Sequence, residues 1–118
     1  MNRLPDDYQL RPATNADSAE VTALIFSVLR SYGLSPDPQG TDRDLADIEG
    51  FYGRPNHSLD VLVETRSRRI VGTVGLCPMD STTVELRKMY LSPELRGCGL
   101  GKLLLDHAIG KARDLRFT

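Results

Sequence analysis

The sequence predicts an α/β (α+β) fold in the order strand, helix, helix, strand, strand, strand, helix (β-α-α-β-β-β-α). Three observations predict it. Apolar residues at three- and four-residue steps, Val21, Leu24, Ile25, Val28 and Leu29, mark an amphipathic helix near the start. Runs of alternating or β-branched residues from Leu59 to Leu91, cut by turn-forming residues, mark three strands. A second helical periodicity, Leu100, Leu103, Leu104, Ala108, Ala112 and Leu115, closes the chain. With 118 residues there is enough chain for one core and no more, so 1–118 reads as a single domain.

Taken in order, Tyr8 to Arg11 is a short first strand stopped by Pro12, which brings no ladder donor. Thr14, Asn15 and Asp17 offer capping oxygens for the first helix, and Gly33 ends it. Ser35-Pro-Asp-Pro-Gln-Gly is a turn-rich linker. Thr41 or Asp42 then caps a second helix carrying Leu45, Ile48, Phe51 and Tyr52, closed by Gly53, Arg54 and Pro55. Asp42, Asp44, Asp47 and Glu49 read first as the solvated face of that helix and second as a set that attracts an amine.

Leu59 to Thr65 and Ile70 to Leu76 form a hairpin across Arg66-Ser-Arg-Arg69. Gly72 and Gly75 weaken the second strand and point to close approach by another backbone or an aromatic ring. Pro78-Met-Asp-Ser-Thr turns the chain into the strand Thr83 to Leu91, ended by Pro93. Gly110 lies inside the last helix and costs it about 1 kcal/mol relative to Ala.

Composition excludes several classes. The charge of −1, with no interleaving of basic and aromatic residues, provides no field for nucleic acid, so any phosphate binding is local. Cys77 and Cys98 are too few and too far apart for a zinc cluster or a disulfide framework, and no metal is expected. Unpaired cysteines suit a reducing cytosol. No apolar run reaches the length of a membrane span and the N-terminus lacks a signal core, so the expected address is the cytoplasm.

The chemistry concentrates after the last strand, in Arg96-Gly97-Cys98-Gly99-Leu100-Gly101-Lys102. Glycines at alternate positions let backbone amides approach a ligand, and the N–H groups opening the next helix lack partners within it. Together with the helix dipole they make an anion cradle, most often for phosphate. The nucleotide-triphosphate loop fails here, since Arg96 stands at its first glycine and Leu103 at its hydroxyl. The dinucleotide fingerprint fails too, because Lys102 or Leu104 stands where its third glycine is needed. What remains is Arg96-x-x-Gly99-x-Gly101.

That remainder resembles the acyl-CoA signature, [Gln/Arg]-x-x-Gly-x-[Gly/Ala], of the GNAT superfamily of N-acyltransferases. Tyr90-Leu91-Ser92-Pro93 before it and the amphipathic helix Leu100 to Leu115 after it resemble the same family. The resemblance implies a mixed, mainly antiparallel sheet flanked by helices, of which this order is the first two-thirds. A further strand, helix and two strands are expected in relatives beyond Thr118. Without them one edge of the Glu85–Leu91 strand is uncovered, which implies a fragment, or a protomer completed by a homo-oligomeric, swapped or separate partner.

The resemblance also implies acetyl-CoA as cosubstrate and a primary amine, small molecule or peptide, as acceptor. Amides from Gly97, Cys98, Gly99, Leu100, Gly101 and Lys102 bind the CoA pyrophosphate, with a charged contact from Arg96. The main chain of Met89 and Leu91 pairs with the pantetheine arm beside Tyr90, and the Leu91 N–H polarises the acetyl carbonyl.

Glu85 is the leading side-chain base, against the plainer reading of a Glu85–Arg87 ion pair; Arg87 and Lys88 are read as solvated or functional. Tyr90 is a hydrogen-bond donor or, more commonly for a strand aromatic, a core residue. An acetyl-cysteine at Cys98 is disfavoured because that position faces diphosphate, and Cys77 reads as a packing residue. His57 and His107 have no serine or cysteine at triad spacing. The competing class is a noncatalytic CoA-binding or assembly module.

Overall fold

Alternation in Leu59-Asp60-Val61-Leu62-Val63 sends Leu59, Val61 and Val63 to one side of a strand and Leu62 to the other, so both faces must be covered. The computed structural model describes residues 7–35, 43–95, 97 and 99–115. Among them β1 (Tyr8–Pro12), β2 (Ser58–Glu64), β3 (Ile70–Pro78) and β4 (Val84–Leu91) form one sheet in that order. All three pairings are antiparallel. Helices α1 (Ser18–Ser31) and α2 (Ile48–Tyr52) pack on one face through Val21, Ile25, Ile48 and Tyr52. Helix α3 (Leu100–Asp114) covers the other through Leu100, Leu104 and Ala108. The predicted class and element order stand.

Helix α1 ends where Gly33 adopts φ +74°, with Gly33 N–H donating to the Arg30 carbonyl and Leu34 N–H to that of Leu29. This places Leu34 and Ser35 beside β4. The Glu20 carboxylate accepts from Ile70 N–H at 2.7 Å and ties α1 to β3.

The second predicted helix is two pieces, a 3-10 turn at Arg43–Ala46 and α2. Asp47 breaks it: its backbone leaves the helical region (φ −144°, ψ 77°) and its carboxylate accepts from Gly50 N–H at 3.0 Å, capping α2. The predicted caps Thr41 and Asp42 lie outside the described residues.

Gly72 and Gly75 sit where β4 comes close. A Cβ on Gly72 would stand 3.2 Å from the Tyr90 carbonyl oxygen and one on Gly75 3.1 Å from that of Arg87. Between them the register passes from Thr73 opposite Tyr90 to Gly75 opposite Arg87, so β4 carries an extra residue. Lys88 takes up the bulge with φ +51°. The Thr73 hydroxyl donates to the Lys88 carbonyl at 2.6 Å and holds the bulge from β3.

Candidate functional site

Helix α3 begins at Gly99, whose φ of +82° follows +85° at Gly97; both are conformations that favour glycine. The first N–H groups of α3 have no partner within the helix, and among the described residues, chain neighbours and the helix's own backbone aside, nothing lies within 4 Å of where a Cβ would stand on Gly97, Gly99 or Gly101. In front of them is an open cleft of about 520 Å³. Met89, Tyr90 and Leu91 at the end of β4 form its floor, Val28 and Tyr32 of the α1 end its wall, and Gly97, Gly99, Gly101 and Lys102 its far end. Leu100 is buried against the sheet and only its backbone belongs to the turn. Arg96 and Cys98 lie outside the described residues.

A second cleft of about 450 Å³ opens on the same side of Tyr90, which lines both. Glu85, Arg87 and Lys88 supply its polar side, and Leu29, Leu34 and Ser35 its α1 side. Glu85 is half exposed, with Oε1 3.5 Å from Arg87 Nε. The Arg87 guanidinium also lies 5.6 Å from the Phe51 ring centroid, and its Nη1 donates to Cys77 Sγ at 3.9 Å. Burial works against the charge of Arg87, but Tyr52, Cys77 and Asp44 around it more than offset this and raise its pKa. The same burial pushes the Cys77 thiol up.

Behind this cleft is a buried ionic group. The Tyr52 hydroxyl donates to Asp44 Oδ2, and the Lys88 ammonium stands 3.6 Å from Asp44 Oδ1, with both charged side chains at least 94% buried. Burial, then the Asp44 carboxylate, pushes the Tyr52 hydroxyl pKa up. Asp44 is thus core, while Asp47 and Glu49 serve the α1–α2 junction: Asn15 N–H donates to Glu49 at 2.7 Å and Asn15 Nδ2 to Asp47 at 3.1 Å. The solvated-face reading of the acidic set therefore holds for the exposed Asp47 and Glu49, while the buried Asp44 fits neither that reading nor the amine lure.

Some of this escaped sequence reasoning. The Lys88 bulge has no glycine to mark it; its one signal is the charge run Glu85-x-Arg87-Lys88 in a strand. His107 is paired with a carboxylate instead of a nucleophile: Asp60 on β2 accepts from His107 Nε2 at 2.8 Å and Lys111 Nζ at 2.9 Å on α3. Asp60, the one charge inside Leu59–Val63, was its signal.

The sequence pattern of the Acetyltransferase (GNAT) family matches residues 23–118. The chain belongs to that family. It is 34% identical over 121 residues to the N-acetyltransferase YjgM of Escherichia coli (strain K12), covering 98% of this chain and 71% of that protein. In fold it is similar to an acetyltransferase from Streptococcus agalactiae 2603 (TM-score 0.84, 21% identity, 97% of this chain and 71% of that one). It is similar also to a GNAT acetyltransferase from Staphylococcus aureus Mu50 (TM-score 0.82, 24% identity, 91% and 66%). The chain therefore spans between 66% and 71% of the length of these GNAT relatives.

Proposed function

We propose that this chain carries out acetyl transfer from acetyl-CoA to a primary amine by direct attack. The observation that carries the reading is the meeting of two clefts at Tyr90, one ending in the glycine turn and the other lined by charged side chains. In this reading the amides of Gly97 to Lys102 hold the CoA pyrophosphate, with Arg96 adding charge, and Cys98 contributes backbone alone. β4, like β1, is an outer strand among those described, so the outer edge of β4 at Met89 and Leu91 is open to pairing with the pantetheine arm. The Leu91 N–H then polarises the acetyl carbonyl.

The acceptor enters the second cleft. Its ammonium gives a proton to Glu85, the neutral nitrogen attacks the acetyl carbon, a C–N bond forms, and the C–S bond breaks as the thiolate leaves and takes up the proton that the new amide nitrogen sheds. Tyr90, at the junction of the clefts, is the nearest candidate to donate a hydrogen bond there. An acetyltransferase of like fold from Clostridium acetobutylicum (TM-score 0.74, 18% identity) is solved with acetyl-CoA, which supports this choice of cosubstrate.

The same reading takes 1–118 as one domain working in the cytoplasm; no described helix is long and apolar enough to cross a membrane. It also takes the free edge of β4, where exposed Leu86, Leu105 and Ile109 line a groove of about 500 Å³, as the route to a dimer. Calorimetry with acetyl-CoA, followed by transfer assays on a broad amine panel, tests the function. Binding with transfer supports it; binding without transfer to any amine leaves a CoA-binding module; no binding removes both.

A further inference from the structure

We infer that the acceptor carries a carboxylate beside its amine, a zwitterion of the α-amino acid class, and that Arg87 determines this specificity. The inference rests on the acetyl-transfer reading and names the substrate class of its second cleft.

Glu85 and Arg87 stand two residues apart on β4 and so share a strand face, and both line the cleft that meets the glycine-turn cleft at Tyr90. Among the described residues their charges are turned on each other, Oε1 to Nε at 3.5 Å. An amine that reaches Glu85 as an ammonium must draw that carboxylate away from Arg87.

What Arg87 then does decides the substrate. Its side chain is 28% exposed, too buried for water to replace the lost partner fully. Contacts with the Phe51 ring at 5.6 Å and Cys77 Sγ at 3.9 Å favour keeping the guanidinium in the cleft. A plain amine therefore exchanges one ion pair for another and leaves Arg87 with no carboxylate on its cleft side, the charge of Asp44 acting on it from behind. A zwitterion opens the internal pair into two, its ammonium on Glu85 and its carboxylate on Arg87, whose planar fork accepts a carboxylate bidentately. Lys88 does not compete for that carboxylate, because its ammonium is turned inward to the buried Asp44. Leu29 and Leu34, which line the opposite side, give an apolar wall for the substrate's own side chain.

The test uses the full chain with CoA present and compares L-leucine, L-methionine and L-serine with their amides, by calorimetric binding and by acetyl transfer. The expected result is that at least one acid exceeds its amide by about ten-fold or more, as for a site that leaves a polar group unpaired with the wrong ligand. In Arg87→Gln that ratio falls to near one, and in Arg87→Lys it is intermediate, since the charge remains and the fork is lost. Thermal melts confirm that both variants are folded. Equal binding of acids and amides to the unsubstituted chain overturns the inference, whether or not acetyl transfer occurs. So does a preference that persists in a folded Arg87→Gln. Preference for acids in binding, with no transfer to any amine, sustains the inference about the cleft and removes the acetyl-transfer reading.

Discussion

The two clefts that meet at Tyr90 are built from different materials. The one at the start of α3 is made of backbone: two left-handed glycines, helix amides and the outer strand's main chain. Its partner is made of side chains, Glu85, Arg87 and Lys88, each already engaged with another protein group. A backbone site is fixed by where glycine must stand and is open from the outset. A side-chain site is held closed by its own ion pairs and must exchange them to bind. In the proposed reading the first grips what is common to every turnover, and the second is free to differ with the acceptor.

The sharpest way to break this comparison is to put a side chain and a charge into the backbone site. A Cβ on Gly101 meets no described atom within 4 Å beyond its chain neighbours and its own helix backbone, so the fold should tolerate Gly101→Glu, while in the proposed reading a carboxylate enters the anion cradle. Acetyl-CoA affinity should fall by about 10³-fold, on the order of 4 kcal/mol, with an almost unchanged melting temperature. Gly99→Glu is a poorer test because φ +82° strains any side chain there. Calorimetry showing undiminished affinity for Gly101→Glu would remove the cradle.

In the side-chain cleft the corresponding change is Glu85→Gln, which keeps the shape and removes the proposed base. Turnover should drop by about 10²-fold below neutral pH, where the acceptor is protonated, and recover as pH rises and free amine accumulates. Acetyl-CoA affinity should not change, since Glu85 lines the second cleft and is not among the residues of the glycine-turn cleft. A pH–rate profile parallel to that of the unsubstituted chain excludes Glu85 as base.

A smaller effect separates the cradle from its support. α3 carries the glycine turn and is tied to β2 by Asp60, whose side chain is 95% buried. Burial pushes the Asp60 carboxyl up, but hydrogen bonds from His107 and Lys111 outweigh it and hold the pKa below the ordinary 3.8. A depressed folded pKa stabilises the fold at pH above the ordinary value, and that contribution is lost as pH falls below about 4 through the folded value. Asp60→Asn should therefore cost about 1–3 kcal/mol at pH 7, and its melting-temperature deficit should shrink toward pH 3. A deficit independent of pH would show that the charge of Asp60 is not what ties α3 to the sheet.

The difference in material also explains what the sequence made legible. Glycine spacing at 97, 99 and 101 reports a backbone conformation directly, and the strand before it is marked by Pro93. The order of elements followed from periodicity, because the apolar stripe of α1 and the alternation of β2 each satisfy a single period. Of the second cleft, the charge run marked Glu85, Arg87 and Lys88, but their partners distant in sequence were not legible. Arg87 meets Cys77 and Phe51, and Lys88 meets Asp44 across 44 positions, through a bulge that only pairing with β3 reveals. The split of the second helix was hidden for a like reason: Asp47 prefers its capping bond to Gly50 and its bond from Asn15 over a helical conformation.

The finest discrimination compares two glycines of one helix. Gly101 and Gly110 both lie within α3, neither has a left-handed φ, and a Cβ on either meets no neighbouring atom within 4 Å. Considering the protein alone, alanine at Gly110 or leucine at Gly101 should stabilise the helix by about 0.4–1 kcal/mol, mainly by restricting the unfolded chain. Gly110→Ala should do so and leave acetyl-CoA affinity untouched, since it lies on the third turn from the cradle. Gly101→Leu should raise the melting temperature of the free chain by a similar amount yet, in the proposed reading, weaken acetyl-CoA binding several-fold, because a side chain larger than the alanine that the acyl-CoA signature accepts there projects into the cleft before the amides. The opposite signs of stability and affinity at Gly101, set against a single sign at Gly110, can come only from a ligand in that cleft. Equal behaviour of the two variants in both measurements would mean that the glycines of the turn serve its fold and not its cargo.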